Sequence, residues 1–175
     1  MKHLPLNLNF FGPALYITLR TLCRRLAGPT RANMSLRTHQ VSGRCILVAE
    51  DDENDVYLLL YAFRKAGIEQ PIKVVSDGQQ VLDYLSGVGP YAARREYPFP
   101  VLVLLDLKLL LKSGLEVLEW IRSQPAYRTL VVIMFTASAQ PSDVHRAYRL
   151  GANSFVVKPS DLQQRAEIAR FLKGW

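Results

Sequence analysis

An apolar run that ends in an aspartate is the feature that most constrains the fold of this 175-residue chain. The run, Val101 to Leu105 in the segment PVLVLLDLKLLLKSG, contains no polar residue before Asp106. A strand covered by helices on both faces is apolar throughout, so the run predicts a buried strand of a parallel sheet. Ligands of such sheets bind beyond the carboxyl ends of the strands, which makes Asp106 a candidate site residue. Taken alone, Asp106 could equally be a turn or helix-capping residue.

Apolar segments alternate with helical patterns from Cys45 onward. We predict strands over CILVA (45–49), IKVVS (72–76), Val101–Leu105, LVVIMF (130–135) and SFVV (154–157). The helices between and after them carry inward residues at helical spacing: Val56, Leu59, Leu60, Phe63; Val81, Leu82, Leu85; Leu115, Leu118, Ile121; Val144, Ala147, Tyr148, Gly151; and Leu162, Ala166, Ala169, Leu172. Gly67 should end the first helix, and Ser160 with Gln163 should form a capping box for the last. The alternation predicts an α/β fold, a doubly wound parallel sheet with a flavodoxin-like or related order.

The basic charge is concentrated before this pattern begins. Seven of the 22 basic residues precede the first acidic residue, Glu50, and the remaining 15 balance the 15 acidic residues. The folded part therefore has no electrostatic reason to bind nucleic acid. Residues 1–43 mix apolar and basic residues without a sustained period, and we expect a basic extension outside the domain of residues 44–175. The extension is either disordered or the product of a start codon upstream of Met34; a targeting or membrane role is the alternative.

The cysteines and the hydropathy indicate the compartment. Cys23 and Cys45 have neither metal-ligand spacing nor the density of a disulfide framework, which is typical of a reducing cytoplasm. No apolar run reaches the roughly 18 residues that a membrane-spanning helix needs. We expect a soluble cytoplasmic protein with no membrane partner.

Polar side chains follow four of the predicted strands at their carboxyl ends. These are Glu50, Asp51 and Asp52 after the first strand, Asp106 after the third, Thr136 after the fourth, and Lys158 after the fifth. Crowded carboxylates repel one another unless a cation joins them, and an all-oxygen cluster suits a hard ion such as Mg²⁺. A lysine and a hydroxyl on the far side suit a phosphoryl group. Each residue alone could be a cap, a turn or a surface residue, but their coincidence at one sheet edge favours a site.

At these residues the chain resembles the receiver domain of two-component response regulators, over Arg44 to Trp175. The resemblance rests on ILVAEDDENDV, LVLLDLKLLLKSGLEVL, IMFTAS and FVVKP, and on separations of 30 residues from Asp106 to Thr136 and 22 from Thr136 to Lys158. It implies a five-stranded (βα)5 fold with strand order 2-1-3-4-5. The segment Gly87 to Pro98 and the phrases DYLSG and GANSFVVKP are most similar to small stand-alone regulators that partner phytochrome-type sensor kinases.

The resemblance also implies roles for individual residues. Asp106 would accept a phosphoryl group from a kinase phosphohistidine, and the protein would catalyse only its own phosphorylation and dephosphorylation. The other implied site residues are Lys158, Thr136 and Ala137 at the phosphoryl group, Phe155 as the aromatic switch, and Glu50, Asp51, Asp106 and the Lys108 backbone carbonyl as the Mg²⁺ ligands. Signalling would occur through changed protein contacts, with a homodimer through the last two helices and strand five, where Phe171 and Trp175 are candidate anchors.

The chain departs from the family pattern at two positions. Glu50 stands where many members have aspartate, and Leu110 replaces the usual proline, within the apolar phrase LKLLLK.

Two other functions remain open from the residues. A haloacid dehalogenase-like phosphohydrolase would need a second aspartate at position 108, where the chain has Lys108. A pseudo-receiver adaptor would share the fold and act without phosphorylation.

Overall fold

The computed structural model describes residues 44–173, so the predicted extension of residues 1–43 and the candidate anchor Trp175 lie outside it. Five strands alternate with five α-helices in this range, and one-turn 3-10 helices cover Gly89–Tyr91 and Pro125–Tyr127. The elements are β1 Cys45–Ala49, α1 Glu53–Ala66, β2 Ile72–Val75, α2 Gly78–Ser86, β3 Pro100–Leu105, α3 Gly114–Ser123, β4 Val131–Thr136, α4 Pro141–Arg149, β5 Ser154–Val157 and α5 Leu162–Leu172. All neighbouring strands pair in parallel, in the order β2-β1-β3-β4-β5, which confirms the predicted fold.

The central strands are apolar because helices cover both faces of the sheet. Helices α1 and α5 pack together on one face, and α2, α3 and α4 follow one another on the other. Every residue of β1 and β4 is buried, as are Leu102 to Leu105 of β3. Val101 is 37% exposed, so the predicted burial fails at the amino end of β3, away from the edge where Asp106 lies. Within residues 44–173, we find no helix that is both long and apolar enough to cross a membrane.

Short polar side chains fix where the helices begin. Asp52 caps α1 by accepting from the backbone N–H groups of Asn54 and Asp55, at 2.8 and 3.0 Å. Gly67 ends the same helix in the left-handed conformation, as its position in the sequence predicts. Helix α3 begins with a reciprocal capping box between Ser113 and Glu116. These caps set the points at which the chain leaves the functional edge of the sheet.

The prediction for the last two helices was wrong in detail. Gly151 lies beyond the end of α4 with φ 94°, because the chain must turn there into β5. Asp161, not Ser160, caps α5, and its carboxylate accepts from the Gln163 N–H at 2.6 Å. Leu162 is the first residue of α5 and is 45% exposed, so its predicted inward position is wrong. The buried residues of α5 are Arg165, Ile168, Ala169 and Leu172.

Replacement of Asp161 by alanine tests this cap. We expect Asp161→Ala to lower the free energy of unfolding by about 1 kcal/mol, because the first turn of α5 loses its side-chain acceptor. Ser160→Ala is the matched control and should change stability by less than about 0.5 kcal/mol, since it removes no cap. Urea denaturation of both variants measures the difference. An equal loss in the two variants would contradict the assignment.

The segment between α2 and β3 is ordered by aromatic packing, although its sequence predicts only a loop rich in helix breakers. The rings of Tyr84, Tyr91 and Tyr97 contact one another, with centroids 5.2 to 6.0 Å apart. Arg94 donates to the backbone carbonyls of Tyr84 and Leu85 at 2.7 Å, which satisfies the end of α2. The segment is thereby fixed against α2.

Candidate functional site

The sheet itself brings the predicted polar residues together. The Asp106 N–H donates to the Ala49 carbonyl at 3.1 Å, and the Lys158 N–H donates to the Thr136 carbonyl at 2.8 Å. The Glu50 N–H likewise donates to the carbonyl of Val75, the last residue of β2, at 3.0 Å. Each bond extends the parallel ladder one residue past a strand. The backbone at the candidate site is therefore positioned by the sheet and not by independent loops.

A cleft of about 550 Å³ opens at this edge. Six of the predicted site residues line it: Asp51, Asp106, Lys108, Thr136, Ala137 and Lys158. Glu50 is buried beneath it, and Phe155 is buried in the core on the strand beside Thr136. The structure thus brings together the residues that the sequence placed at four separate strand ends.

Lys158 lies among three carboxylates. Its ammonium donates to Glu50 Oε2, lies 2.9 Å from Asp55 Oδ2 and 3.1 Å from Asp106 Oδ1, and its side chain is only 5% exposed. Burial alone would lower the pKa of Lys158, but its hydrogen bonds to Glu50 and Asp55 and the charge of Asp106 raise that pKa above its ordinary value. Lys158 is therefore a buried, charged ammonium at neutral pH. It supplies the positive charge of the cleft floor.

The two carboxylates closest to Lys158 respond in opposite ways. Burial raises the pKa of Glu50 above its ordinary value, and the hydrogen bond from Lys158 offsets only part of that shift. Burial would also raise the pKa of Asp55, but the hydrogen bonds from Lys158 and Arg165 lower it below its ordinary value. Asp55 is thus the more firmly ionised partner, because it has two cations and greater access to solvent.

Asp106 is held by the loop that follows it. One carboxylate oxygen, Oδ2, accepts from the Lys108 N–H, and the other faces Lys158. Gly114 lies directly behind this loop: its N–H donates to the Leu107 carbonyl at 3.0 Å, and a Cβ at Gly114 would overlap the Asp106 carbonyl oxygen. Only glycine lets α3 begin this close to the Asp106 backbone.

Thr136 closes the other side of the cleft floor. Its hydroxyl accepts from the Ser138 N–H at 3.2 Å, and the residue is buried at the end of β4. The Ser138 hydroxyl in turn donates to Asp143 Oδ2 at 2.9 Å, in the first turn of α4. The hydroxyl of Thr136 is therefore linked through its own loop to the start of α4.

The oxygen ligands at this edge fit a hard divalent cation. The cleft presents the carboxylates of Asp51 and Asp106, and oxygen is the ligand that Mg²⁺ and Mn²⁺ prefer. Among residues 44–173, no three acidic, histidine or cysteine side chains approach closely enough to hold a metal by themselves. A site here would thus need a backbone carbonyl or water beside these carboxylates, and the Lys108 carbonyl stays the predicted ligand.

The sequence did not reveal two charged residues of this network, Asp55 and Arg165. Asp55 is in the first turn of α1, and Arg165 is on the buried face of α5, where its Nη2 lies 2.8 Å from Asp55 Oδ1. One signal was available, since Arg165 shares a helix face with Ala169 and Leu172, and an arginine that faces inward needs an acidic partner. The incorrect start of α5 placed Leu162 inward and concealed this requirement.

The loop after Asp106 exposes two leucines. Leu110 is 65% and Leu111 is 81% exposed, and Leu111 has φ 62°, a conformation that a side chain rarely adopts. A tight turn holds it, because the Lys112 N–H donates to the Leu110 carbonyl at 2.7 Å and the Gly78 N–H donates to the same oxygen at 3.1 Å. The loop is therefore well defined although its side chains are apolar and face solvent.

Comparison with known proteins agrees with this geometry. Residues 46–170 match the family described as the response regulator receiver domain. The response regulator Rcp1 of Synechocystis sp. is 31% identical over 132 residues, which cover 75% of this chain and 88% of Rcp1. The crystal structure of response regulator RPA3017, in red light signalling of R. palustris, has a TM-score of 0.70 at 36% identity, over 74% of this chain and 90% of that one.

Two further solved structures bear on the chemistry of the cleft. The phosphorylated cyanobacterial phytochrome response regulator RcpA has a TM-score of 0.68 at 29% identity, over 76% of this chain and 92% of that one. The Mn²⁺-bound form of Rcp1 has a TM-score of 0.67 at 28% identity, over 76% of this chain and 93% of that one. These proteins are signalling regulators, and the phosphohydrolase alternative finds no support among them. The chain belongs to the receiver domain family of two-component response regulators, and its relatives include stand-alone regulators of phytochrome signalling.

Proposed function

We propose that the protein accepts a phosphoryl group on Asp106 from a sensor histidine kinase and signals through changed protein contacts. One observation carries the proposal: Asp106 Oδ1 lies 3.1 Å from the buried ammonium of Lys158, on the floor of a cleft that Thr136 also lines. A carboxylate nucleophile, a fixed cation and a hydroxyl are what transfer to an aspartate requires. The protein is then a signalling switch and not an enzyme that turns over a separate substrate.

The transfer forms one bond and breaks another. A carboxylate oxygen of Asp106 attacks the phosphorus of the kinase phosphohistidine, the P–N bond breaks, and the imidazole leaves and takes up a proton. The acyl phosphate formed on Asp106 is later hydrolysed by water. Lys158 holds one phosphoryl oxygen as a point charge, and the Thr136 hydroxyl and the backbone at Ala137 hold the others.

The residues that would hold Mg²⁺ are Asp51, Asp106 and the Lys108 carbonyl, with Glu50 acting through water. When bound, Mg²⁺ supplies positive charge that offsets the phosphoryl oxygens and the neighbouring carboxylates. The ammonium of Lys158 cannot supply this charge alone, because it is already paired with three carboxylates. The metal requirement thus follows from the excess of acidic groups at the cleft floor.

The output surface is the face of α4, β5 and α5. Thr136 moves toward the phosphoryl group, Phe155 on the neighbouring strand turns into the space that Thr136 leaves, and the face beyond them changes shape. Phytochrome-type kinases are the proposed partner, because RcpA is described as a phytochrome response regulator and RPA3017 as a regulator in red light signalling. The proposal places the protein in the cytoplasm.

Intact mass measurement tests the proposal. The full chain incubated with acetyl phosphate and Mg²⁺ should gain the mass of one phosphoryl group, and a chelator should prevent the gain. A chain that gains no mass under these conditions, while a known receiver domain does, would be a pseudo-receiver adaptor instead.

We further propose that the protein forms a homodimer through α4, β5 and α5, tightened by phosphorylation. Val157 and Leu162 are exposed apolar residues on this face, and α5 also carries Phe171.

Leu162→Glu should weaken association at least about tenfold, since it places a charge in an apolar contact. Phe171→Ala and Trp175→Ala should also weaken it, whereas Tyr57→Ala on α1 should not. Sedimentation with and without phosphodonor measures this; a monomer at high micromolar concentration in both states would contradict it.

Residues 44–175 are proposed to be sufficient for folding and phosphorylation. The matched family region begins at residue 46, and the first strand begins at Cys45. A chain that starts at Met34 should have a Tm within about 2 °C of the full chain, which corresponds to a change of less than about 1 kcal/mol in the free energy of unfolding. It should also gain the same phosphoryl mass. Failure of this shorter chain to fold would show that the extension is part of the domain.

A further inference from the structure

Asp55 joins the candidate site to the last helix. Its Oδ2 accepts from Lys158 at 2.9 Å, and its Oδ1 accepts from Arg165 Nη2 at 2.8 Å. Arg165 is buried, and its Nε donates to the Pro159 carbonyl at 2.7 Å. Its third nitrogen, Nη1, is also buried and has no hydrogen-bond partner among residues 44–173. The carboxylate that shares Lys158 thus faces an arginine with one donor nitrogen unused.

A buried donor without an acceptor is costly, and native structures rarely retain one. The unused nitrogen is on the guanidinium that already contacts Asp55, and a guanidinium binds a carboxylate best with two parallel hydrogen bonds. Asp55 contacts Arg165 through Oδ1 alone, while its Oδ2 is bonded to Lys158. The two cations thus share Asp55, one oxygen each, and the second hydrogen bond of a parallel pair with Arg165 is missing.

A phosphoryl group on Asp106 changes this competition. It replaces the single negative charge of the carboxylate with roughly two on the phosphoryl group, beside an ammonium that already lies 3.1 Å from Asp106 Oδ1. Lys158 is thereby drawn toward the phosphoryl oxygens and away from Asp55. The released Oδ2 then needs a donor, and Nη1 is unused on the guanidinium that already contacts Asp55.

We propose that Asp55 is a positioning residue that releases Lys158 on phosphorylation and pairs through both oxygens with Arg165. The inference rests on the proposed phosphorylation of Asp106 and adds two residues to it. Arg165 is in the first two turns of α5, so the exchange changes the contacts that hold the start of that helix. The phosphoryl group is thus coupled to α5 by a route separate from Thr136 and Phe155.

The proposal predicts opposite effects for the two partners of one ion pair. Asp55→Asn removes the charge that competes for Lys158, so phosphorylation should be faster by at least about fivefold. Arg165→Gln leaves Asp55 with Lys158 as its only cation and with no partner after the exchange, so phosphorylation should be slower by at least about fivefold. The double variant should behave like Asp55→Asn, because Arg165 acts through Asp55.

The rate of mass gain at limiting acetyl phosphate and saturating Mg²⁺ measures these effects. Arg170→Gln, an exposed position on the same helix, is the control and should keep the parent rate. A merely structural ion pair would shift Asp55→Asn and Arg165→Gln in the same direction. Shifts in the same direction, or a double variant that follows Arg165→Gln, would overturn the proposal.

A second measurement does not require phosphorylation. In Lys158→Met the ammonium is absent, so Asp55 should pair through both oxygens with Arg165 at all times. Nitrogen NMR should then show two separate, slowly exchanging Nη signals for Arg165, where the unphosphorylated parent shows faster averaging. Unchanged Arg165 signals in a folded Lys158→Met chain would overturn the exchange even if Asp106 is phosphorylated.

A parent that gains no phosphoryl mass would instead overturn the proposed function, and the NMR result would still decide the exchange. Where Lys158→Met does not fold, the opposite rate effects decide it.

Discussion

Asp106→Asn should abolish the phosphoryl mass gain of the full chain. An amide oxygen is a poor nucleophile and cannot form the acyl phosphate, and the substitution also removes one of the three carboxylates that line the cleft. The rate should fall at least about a thousandfold, to the background of chemical labelling elsewhere on the chain. Intact mass after incubation with acetyl phosphate and Mg²⁺ is the measurement, followed by peptide mapping of the modified residue.

Asp52→Asn is the matched control for this loss. Asp52 lines the same cleft, but its carboxylate is engaged in capping α1, and asparagine caps equally well. This variant should keep the parent rate and the parent stability. Equal labelling of Asp106→Asn and the parent would remove Asp106 from the role of phosphoacceptor and leave the cleft without an assigned nucleophile.

Gly114→Ala should lower the free energy of unfolding by about 3 kcal/mol and the Tm by roughly 10 °C. The added Cβ would overlap the Asp106 carbonyl oxygen, so either α3 or the loop after β3 must move. Both are fixed, because the Gly114 N–H is bonded to the Leu107 carbonyl and Asp106 is bonded to β1. Any shift displaces the Asp106 backbone, so phosphorylation should also slow. Thermal and urea denaturation measure the stability, and mass gain measures the rate.

Gly89→Ala separates steric overlap from backbone strain. Gly89 has φ 58° but nothing within 4 Å of an added Cβ, so alanine there should cost only about 1 kcal/mol and leave phosphorylation unchanged. Gly114 has the opposite character, with overlap and no positive φ. A loss at Gly114→Ala no larger than the loss at Gly89→Ala would show that α3 can retreat freely from the Asp106 loop.

The fold was predictable because the sheet is buried on both faces. Uniform burial leaves a continuous apolar run at each central strand, and the first polar residue after such a run lies at the functional edge. Asp106, Thr136 and Lys158 could therefore be placed in one site from their positions alone. The same reasoning failed only for the burial of Val101, whereas β2 was predicted as a strand and is one, although it is partly exposed at the edge of the sheet.

The charged network behind the site was not predictable in this way. Asp55 is 103 residues from Lys158 and 110 from Arg165, and no local pattern connects residues so far apart. The start of α5 shows the same limit on a smaller scale, since Ser160 and Asp161 are both good capping residues and only the path of the chain after β5 selects between them. Local chemistry defines what each residue can do, and the tertiary structure determines its partner.

The ladder bonds at Asp106 and Lys158 have a consequence for how long the site keeps its shape. These two amides are hydrogen-bonded to the strands beside them, as regular members of the sheet would be. Sheet amides of this kind exchange their hydrogens with water only in the rare openings that unfold much of the domain. The backbones of Asp106 and Lys158 therefore stay in place until much of the domain unfolds, so a folded chain already has its cleft assembled.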